Sequence, residues 1–417
     1  MASEFVIEDG FVVVNKPPPN PSAEILPHLL LADISDTVDK LSASLWPVNR
    51  TIHDHPELGF KEVIAHDTLT AFMSTQPGWR VTRSAYGLET AWVAVLDSGK
   101  AGPAVSFNVE MDALPGIGHA CGHNLIAIAS VAAGLAAGQV MLRRQCRGKI
   151  VMFGTPAEEG GGGKIKLLQR GAYQSHRVDI SLLSHPGIIP SSALVHTTAY
   201  TRFQAEYFGR EAHAAAAPWE GINALDALIT AYNALSVLRQ QTMPSDIIQG
   251  HITSGGSAPN IIHAYAAGVF VIRAETNGRL QELRKKVDAC FTAGATATGA
   301  TLKVTEMNAY ADHVPNRVLG RRIPEDQDVD EIRGASMAST DQGDISHAMP
   351  SLMPGFKIKP GPGPGGSGPH NPGFADSAGT RQSFDKGLEV AKALAGTALD
   401  VLMEERTTRR DQEGVET

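Results

Sequence analysis

FNVEMDALPGIGHACGHN, the stretch from Phe107 to Asn124, decides how the rest of the chain is read. It opens at the end of an apolar strand, Ala104 to Val109, and runs on through groups with affinity for cations: Glu110, Asp112, His119, Cys121 and His123. The small, apolar run that follows, Leu125 to Val140, reads as a buried helix. A strand end just ahead of a helix is where open α/β sheets carry their chemistry. Cys-Gly-His sets a thiolate and an imidazole close enough to serve one metal ion or two adjacent ones. Both suit a borderline divalent ion such as zinc.

Working outward, the same pattern repeats. Lys149 to Thr155 is a short apolar strand that ends in PAEEGGGGK, which carries Glu158 and Glu159. Asp179 to Ser184 is another and ends in His185-Pro186-Gly187. Strands at Trp79 to Arg83 and Thr90 to Leu96, with helices from Ala32 and over Glu62 to Met73, complete a βα alternation. That alternation predicts an α/β fold, a mainly parallel sheet covered by helices. Three strand ends then deliver Asp112 with Cys121 and His123, Glu158 with Glu159, and His185 to one edge. A dinuclear hydrolase would put one glutamate on a metal and use its neighbour to hold a water. Taken singly, each group has a plainer reading: a packed histidine, a buried thiol or a solvated acid pair. Their convergence carries the inference.

The texture changes near Ala193. Strand, helix, two strands, helix and strand follow through Glu306, the order of a ferredoxin-like α+β unit. This predicts a satellite domain over 194–309, inserted into a catalytic domain made of 25–193 and 310–417, with a disordered leader over 1–24. His213 and Asn260 fall in loops of the insert, and Arg273 falls on one of its strands. Past the insert, a Gly/Pro-rich loop from Pro360 to Pro369 leads to His370, then to a long amphipathic helix, Ser377 to Glu404, and a charged tail.

Bulk properties narrow the class. The chain has 417 residues, 42% of them hydrophobic, so it can bury two cores. A net charge of −8 without a basic run speaks against nucleic acid or an anionic membrane as partner. Three scattered cysteines do not make a disulfide framework and point to a reducing compartment. The N-terminus lacks the pattern of a secretory signal. A cytoplasmic protein is the expectation.

Seven motifs carry a resemblance that covers about residues 38 to 400: HDHPELGF, EMDALPGIGHACGHN, TPAEEGGGGK, SHPG, GREAHAAAAPWEGINALDA, GGSAPNII and HNPGF. In these the chain resembles the dinuclear metal-dependent amidohydrolases of the aminoacylase/carboxypeptidase superfamily. The branch is that of hippurate hydrolases, auxin-amino acid conjugate hydrolases, p-aminobenzoyl-glutamate hydrolase subunits and β-alanyl-lysine dipeptidase-like proteins. The resemblance implies that Cys121, His123, Glu159, His185 and His370 hold two divalent ions, zinc first, with manganese or cobalt as substitutes. It implies Glu158 as general base and Asp112 as a support behind the first ligands. His213 would reach the partner's active site across a homodimer built on the satellite domain. Asn260 would meet substrate, and Arg273 would anchor a substrate carboxylate. The implied reaction is hydrolysis of the amide of an N-acyl amino acid or a small dipeptide-like molecule. The alternatives are the same site run toward amide formation, or a silent binding homologue. Two motifs depart from their usual form. RADMDALP reads NVEMDALP, with Asn108 and Glu110 in place of Arg and Asp, and HACGHD reads HACGHN, with Asn124.

Overall fold

The computed structural model describes residues 5–8, 11–14, 21–323, 336–361 and 368–403. Its larger sheet has six strands in the order Ser351–Leu352, Ile180–Leu182, Ala104–Glu110, Lys149–Thr155, Trp92–Asp97, Arg80–Thr82. The first three pairings are parallel and the last two antiparallel. The sheet is therefore parallel where the site forms and antiparallel toward one edge. Ala104–Glu110 lies at its centre and is buried along its whole length, which is why it reads as an unbroken apolar run.

The helix His123–Arg143 packs behind that strand, between the helices Pro21–Asp54 and Arg381–Met403. Its alanines and glycines keep it slim enough to be almost wholly enclosed. Among the described residues it is the one helix long and apolar enough to cross a membrane, yet 89% of its apolar window is buried inside the protein. Such a helix is a core element by packing.

The second sheet has four antiparallel strands in the order Ile247–Ser254, Tyr265–Ala274, Ala199–Phe208, Thr301–Tyr310. Helices Ala224–Leu238 and Asn277–Thr298 pack on it. Their N-termini are capped by Asn223 and Thr276 through side-chain oxygens. Phe203 and Phe270 stack, with Phe291 edge-on against both, in a core separate from that of the larger sheet. Element order and sheet order match a ferredoxin-like unit.

Three differences from the sequence reading have physical causes. Over the expected leader, Phe5–Glu8 pairs with Phe11–Val14, and a helix starts at Pro21; proline suits a first helical turn because its missing N–H is not needed there. The rest of that leader, the centre of the Pro360–Pro369 loop and the charged tail lie outside the described residues. His185 does not end the Ile180–Leu182 strand. It opens a separate strand, His185–Gly187, paired with Gly355–Lys357. The last helix is two helices, Pro372–Ala378 and Arg381–Met403, the first capped by Asn371 with Pro372 at its first position.

His313 sits just past the last strand of the small sheet and is fully buried. Its Nδ1 lies 2.7 Å from the Val195 carbonyl oxygen. Burial pushes its imidazole down to about 4. The unfolded chain, in which histidine titrates near about 6.5, takes up a proton that the folded chain refuses. Stability is therefore complete above about 6.5 and is lost as pH falls toward 4. Denaturant midpoints should drop over that interval, and His313→Gln should remove a measurable part of the slope.

Candidate metal centre

The site forms where three parallel strands end. Glu110 closes the central strand, and the next residues carry Asp112 into a turn. The chain then reverses at Cys121-Gly122-His123. Gly122 has φ +75°, and a Cβ there would come 2.6 Å from Pro186 and 3.3 Å from Phe374. Only glycine lets the thiol and the imidazole be presented side by side. His123 begins the buried helix with no exposure.

Asp112, also buried, holds three groups at once. Its Oδ1 lies 3.2 Å from His123 Nδ1 and accepts the Glu158 backbone N–H at 3.0 Å. Its Oδ2 accepts the Glu159 backbone N–H at 2.9 Å. Burial alone would raise this carboxyl, but His123 and the two N–H donors outweigh it and leave it below the usual range. With Nδ1 so engaged, His123 turns Nε2 toward Glu158 Oε2 at 3.8 Å and Glu159 Oε1 at 3.9 Å. That nitrogen is buried and has no hydrogen-bond partner.

The loop that carries the two glutamates is forced into shape. Ala157 takes φ +56°, an expensive conformation for a residue with a side chain. It is held by Glu62, whose Oε1 accepts the Ala157 N–H at 2.8 Å while its Oε2 accepts the Thr90 hydroxyl at 2.7 Å. From the other side Tyr310 donates its phenol to the Glu158 carbonyl at 2.6 Å and accepts the Gly162 N–H at 3.0 Å. Neither Glu62 nor Tyr310 is singled out by the sequence reading. Glu62 lies two residues beyond the end of HDHPELGF, and that nearness is the only local signal for it.

Around this frame the ligand atoms converge. Cys121, His123 and His185 each offer an atom within 4.8 Å of the others, and so do Cys121, Glu159 and His370, and His123, Glu158 and Glu159. Cys121 Sγ lies 3.4 Å from His185 Nε2, and His370 Nε2 lies 3.2 Å from Glu159 Oε1. His185 Nδ1 rests 2.8 Å from the Pro186 carbonyl oxygen, which leaves Nε2 facing the thiol. His370 adopts φ +68° and is tied to Ala120 through its backbone N–H, so the distant segment is brought beside Cys121. Burial and then Glu110 and Glu159 push Glu158 well above the carboxylate range, and burial pushes the Cys121 thiol up. Unpaired acids, an orphaned imidazole nitrogen and a buried thiol are costly as they stand, and divalent cations relieve all three. The donor set of sulfur, imidazole and carboxylate fits such ions.

Other expected groups lie elsewhere. His119 is not part of the cluster: its Nε2 faces the Ile52 carbonyl at 3.0 Å and its ring stacks on His53. His213 and Asn260 are exposed neighbours in the small unit, linked by a 3.0 Å bond from the Ala214 N–H to the Asn260 carbonyl. Neither belongs to the metal-ligand groupings of its own chain. Arg273 is half-buried over the Tyr200 ring at 5.0 Å and donates to Ser339 Oγ at 2.8 Å. The departures at Asn108 and Asn124 are both taken up by internal hydrogen bonds, although Asn124 Oδ1 is buried without a partner. Asn108 bonds Ser181, Gln342 and Tyr173, and Asn124 bonds Asn49 and the Ala378 carbonyl.

The chain is similar to known proteins in sequence and in fold. Residues 198–298 match the model of the peptidase dimerisation domain. The chain is 38% identical over 414 residues to the Xaa-Arg dipeptidase of Mus musculus, covering 94% of each. It is 29% identical over 308 residues to one of the p-aminobenzoyl-glutamate hydrolase subunits of Escherichia coli, covering 69% of this chain and 62% of the relative. Its fold matches a dinuclear metal binding peptidase from Bacillus subtilis with a TM-score of 0.63 at 17% identity, covering 87% of this chain and 99% of that one. With the mouse relative aligned over nearly its whole length, the chain belongs to the M20 peptidase family, a family of hydrolases that act on amide and peptide bonds.

Proposed function

We propose that the protein hydrolyses the amide bond of N-acyl amino acids or small dipeptides at a dinuclear site, with zinc as the native metal. The observation that supports this most directly is Cys121 standing in two ligand groups, with Glu158 beside them. Cys121, His123, Glu159, His185 and His370 would hold the ions. When bound, two such cations acidify a shared water and polarise the scissile carbonyl.

The protein's own groups do the rest. Glu158 takes the proton of the attacking water and returns it to the leaving amine. Asp112 fixes the His123 ring and the Glu158–Glu159 peptide, so base and ligands keep one geometry. The catalytic unit comprises 25–193 and 310–417, and the satellite unit 194–309. His213 is exposed and is not in any ligand group of its own chain, which fits a donor to the developing oxyanion supplied across a homodimer. Asn260, beside it, meets the same substrate, and Arg273 receives a substrate carboxylate by exchanging its bond to Ser339. The 38%-identical mouse relative makes dipeptides with a C-terminal arginine the first substrates to try. A cytoplasmic location accords with three unpaired cysteines.

Two outcomes check this reading. Glu158→Gln should lower kcat by about 10²–10⁴-fold while the protein still binds its metal ions. The assay is initial rates on a panel of Xaa-Arg dipeptides, β-alanyl dipeptides, N-acyl amino acids and p-aminobenzoyl-glutamate; turnover close to wild type would exclude Glu158 as base. Mixing inactive Glu158→Gln with inactive His213→Ala chains should restore about a quarter of wild-type activity, because half the dimers then carry one complete site of two. No recovery after subunit exchange would exclude donation across the interface.

A further inference from the structure

We propose that Glu110 is an additional ligand of the metal centre, one carboxylate oxygen standing beside His123 while Lys164 neutralises the other. This rests on the reading of the site as a holder of divalent cations. Glu110 ends the central strand and is 1% exposed. Its Oε1 lies 2.6 Å from Lys164 Nζ. Its Oε2 lies 3.5 Å from His123 Nε2, and both of those atoms are buried without a hydrogen-bond partner. At 3.5 Å the pair is too long for a hydrogen bond of ordinary strength. It is the separation of co-ligands: two donors at about 2.1 Å from one tetrahedral ion sit about 3.4 Å apart. Cys121 Sγ and His185 Nε2, at 3.4 Å, show the same spacing.

Charge leads to the same residue. Glu110, Glu158 and Asp341 bring buried carboxylate oxygens within 4.8 Å of one another. Lys164 is the only lysine or arginine buried among the described residues, and it contacts both Glu110 and Asp341. Its backbone N–H is bound to Asp341 Oδ2 at 2.9 Å, so its place is fixed. One ammonium is shared between Glu110 and Asp341, and the oxygens of Glu110 and Glu158 that face His123 are placed where a divalent cation can meet their charge. Glutamate has one methylene more than the aspartate usual at this point of the motif, and that length lets a single carboxylate reach Lys164 and His123 together.

The test uses the full chain stripped of metal and titrated with zinc against a chromophoric chelator, with circular dichroism and melting temperature followed in parallel. Wild type should take up two ions per chain. Glu110→Gln should keep one at wild-type affinity and bind the other at least about 10-fold more weakly. The double variant Glu110→Gln/Lys164→Met, which removes both buried charges, should melt closer to wild type yet keep the weak second ion. If either folded variant binds both ions as tightly as wild type, Glu110 is only the partner of Lys164 and the proposal falls. A wild-type chain that binds no zinc would instead overturn the reading of the centre itself.

Discussion

The site depends on one carboxylate. Asp112 stands at the mouth of the central strand and touches the His123 ring and the backbone of both Glu158 and Glu159. The start of the buried helix and the Glu158–Glu159 loop are therefore both registered against a group no larger than an acetate. A carboxylate that accepts several N–H donors while paired with an imidazole is held ionised even in a dry interior. Its burial is what makes these bonds strong, since no water competes for its oxygens.

Around that point the protein accumulates negative charge. Glu62, Glu110, Asp112, Glu158 and Asp341 are all buried close to one another, with Lys164 among them. Such a concentration of acids opposes folding unless each has a specific partner. Glu62 is served by Thr90 and the strained Ala157, Asp341 by Lys164, and Asp112 as above. The oxygens that face His123 Nε2 are those of Glu110, Glu158 and Glu159. The interior thus separates acids that support structure from acids kept for chemistry by how many donors each is given.

Much of this was legible in the residues. Strand ends followed by Cys-Gly-His and Glu-Glu announced a common edge, because βα alternation fixes which end of a strand can carry a site; His-Pro-Gly comes to it as a short strand of its own. The order of elements from Ala199 to Tyr310 likewise declared the inserted unit. What the sequence could not disclose is set by contacts across long stretches of chain. Lys164 looks like any lysine after a glycine run until Glu110 and Asp341 enclose it. Tyr310 looks like the end of a strand until its phenol meets the Glu158 carbonyl, 152 residues away. His119 misleads in the opposite sense: it lies within the densest motif, yet its ring is spent on the Ile52 carbonyl and on stacking with His53.

The Tyr310 phenol has one foot in each half of the molecule. It ends the outermost strand of the small sheet and grips the peptide just behind the Glu158 side chain at two places. Tyr200, at the start of the neighbouring strand, lies edge-on against it. The small unit is thus not an appendage hung on free tethers: at its root it shares a bolt with the reactive loop. The orientation of the small unit and the course of the Glu158 loop are thereby set by one shared hydroxyl.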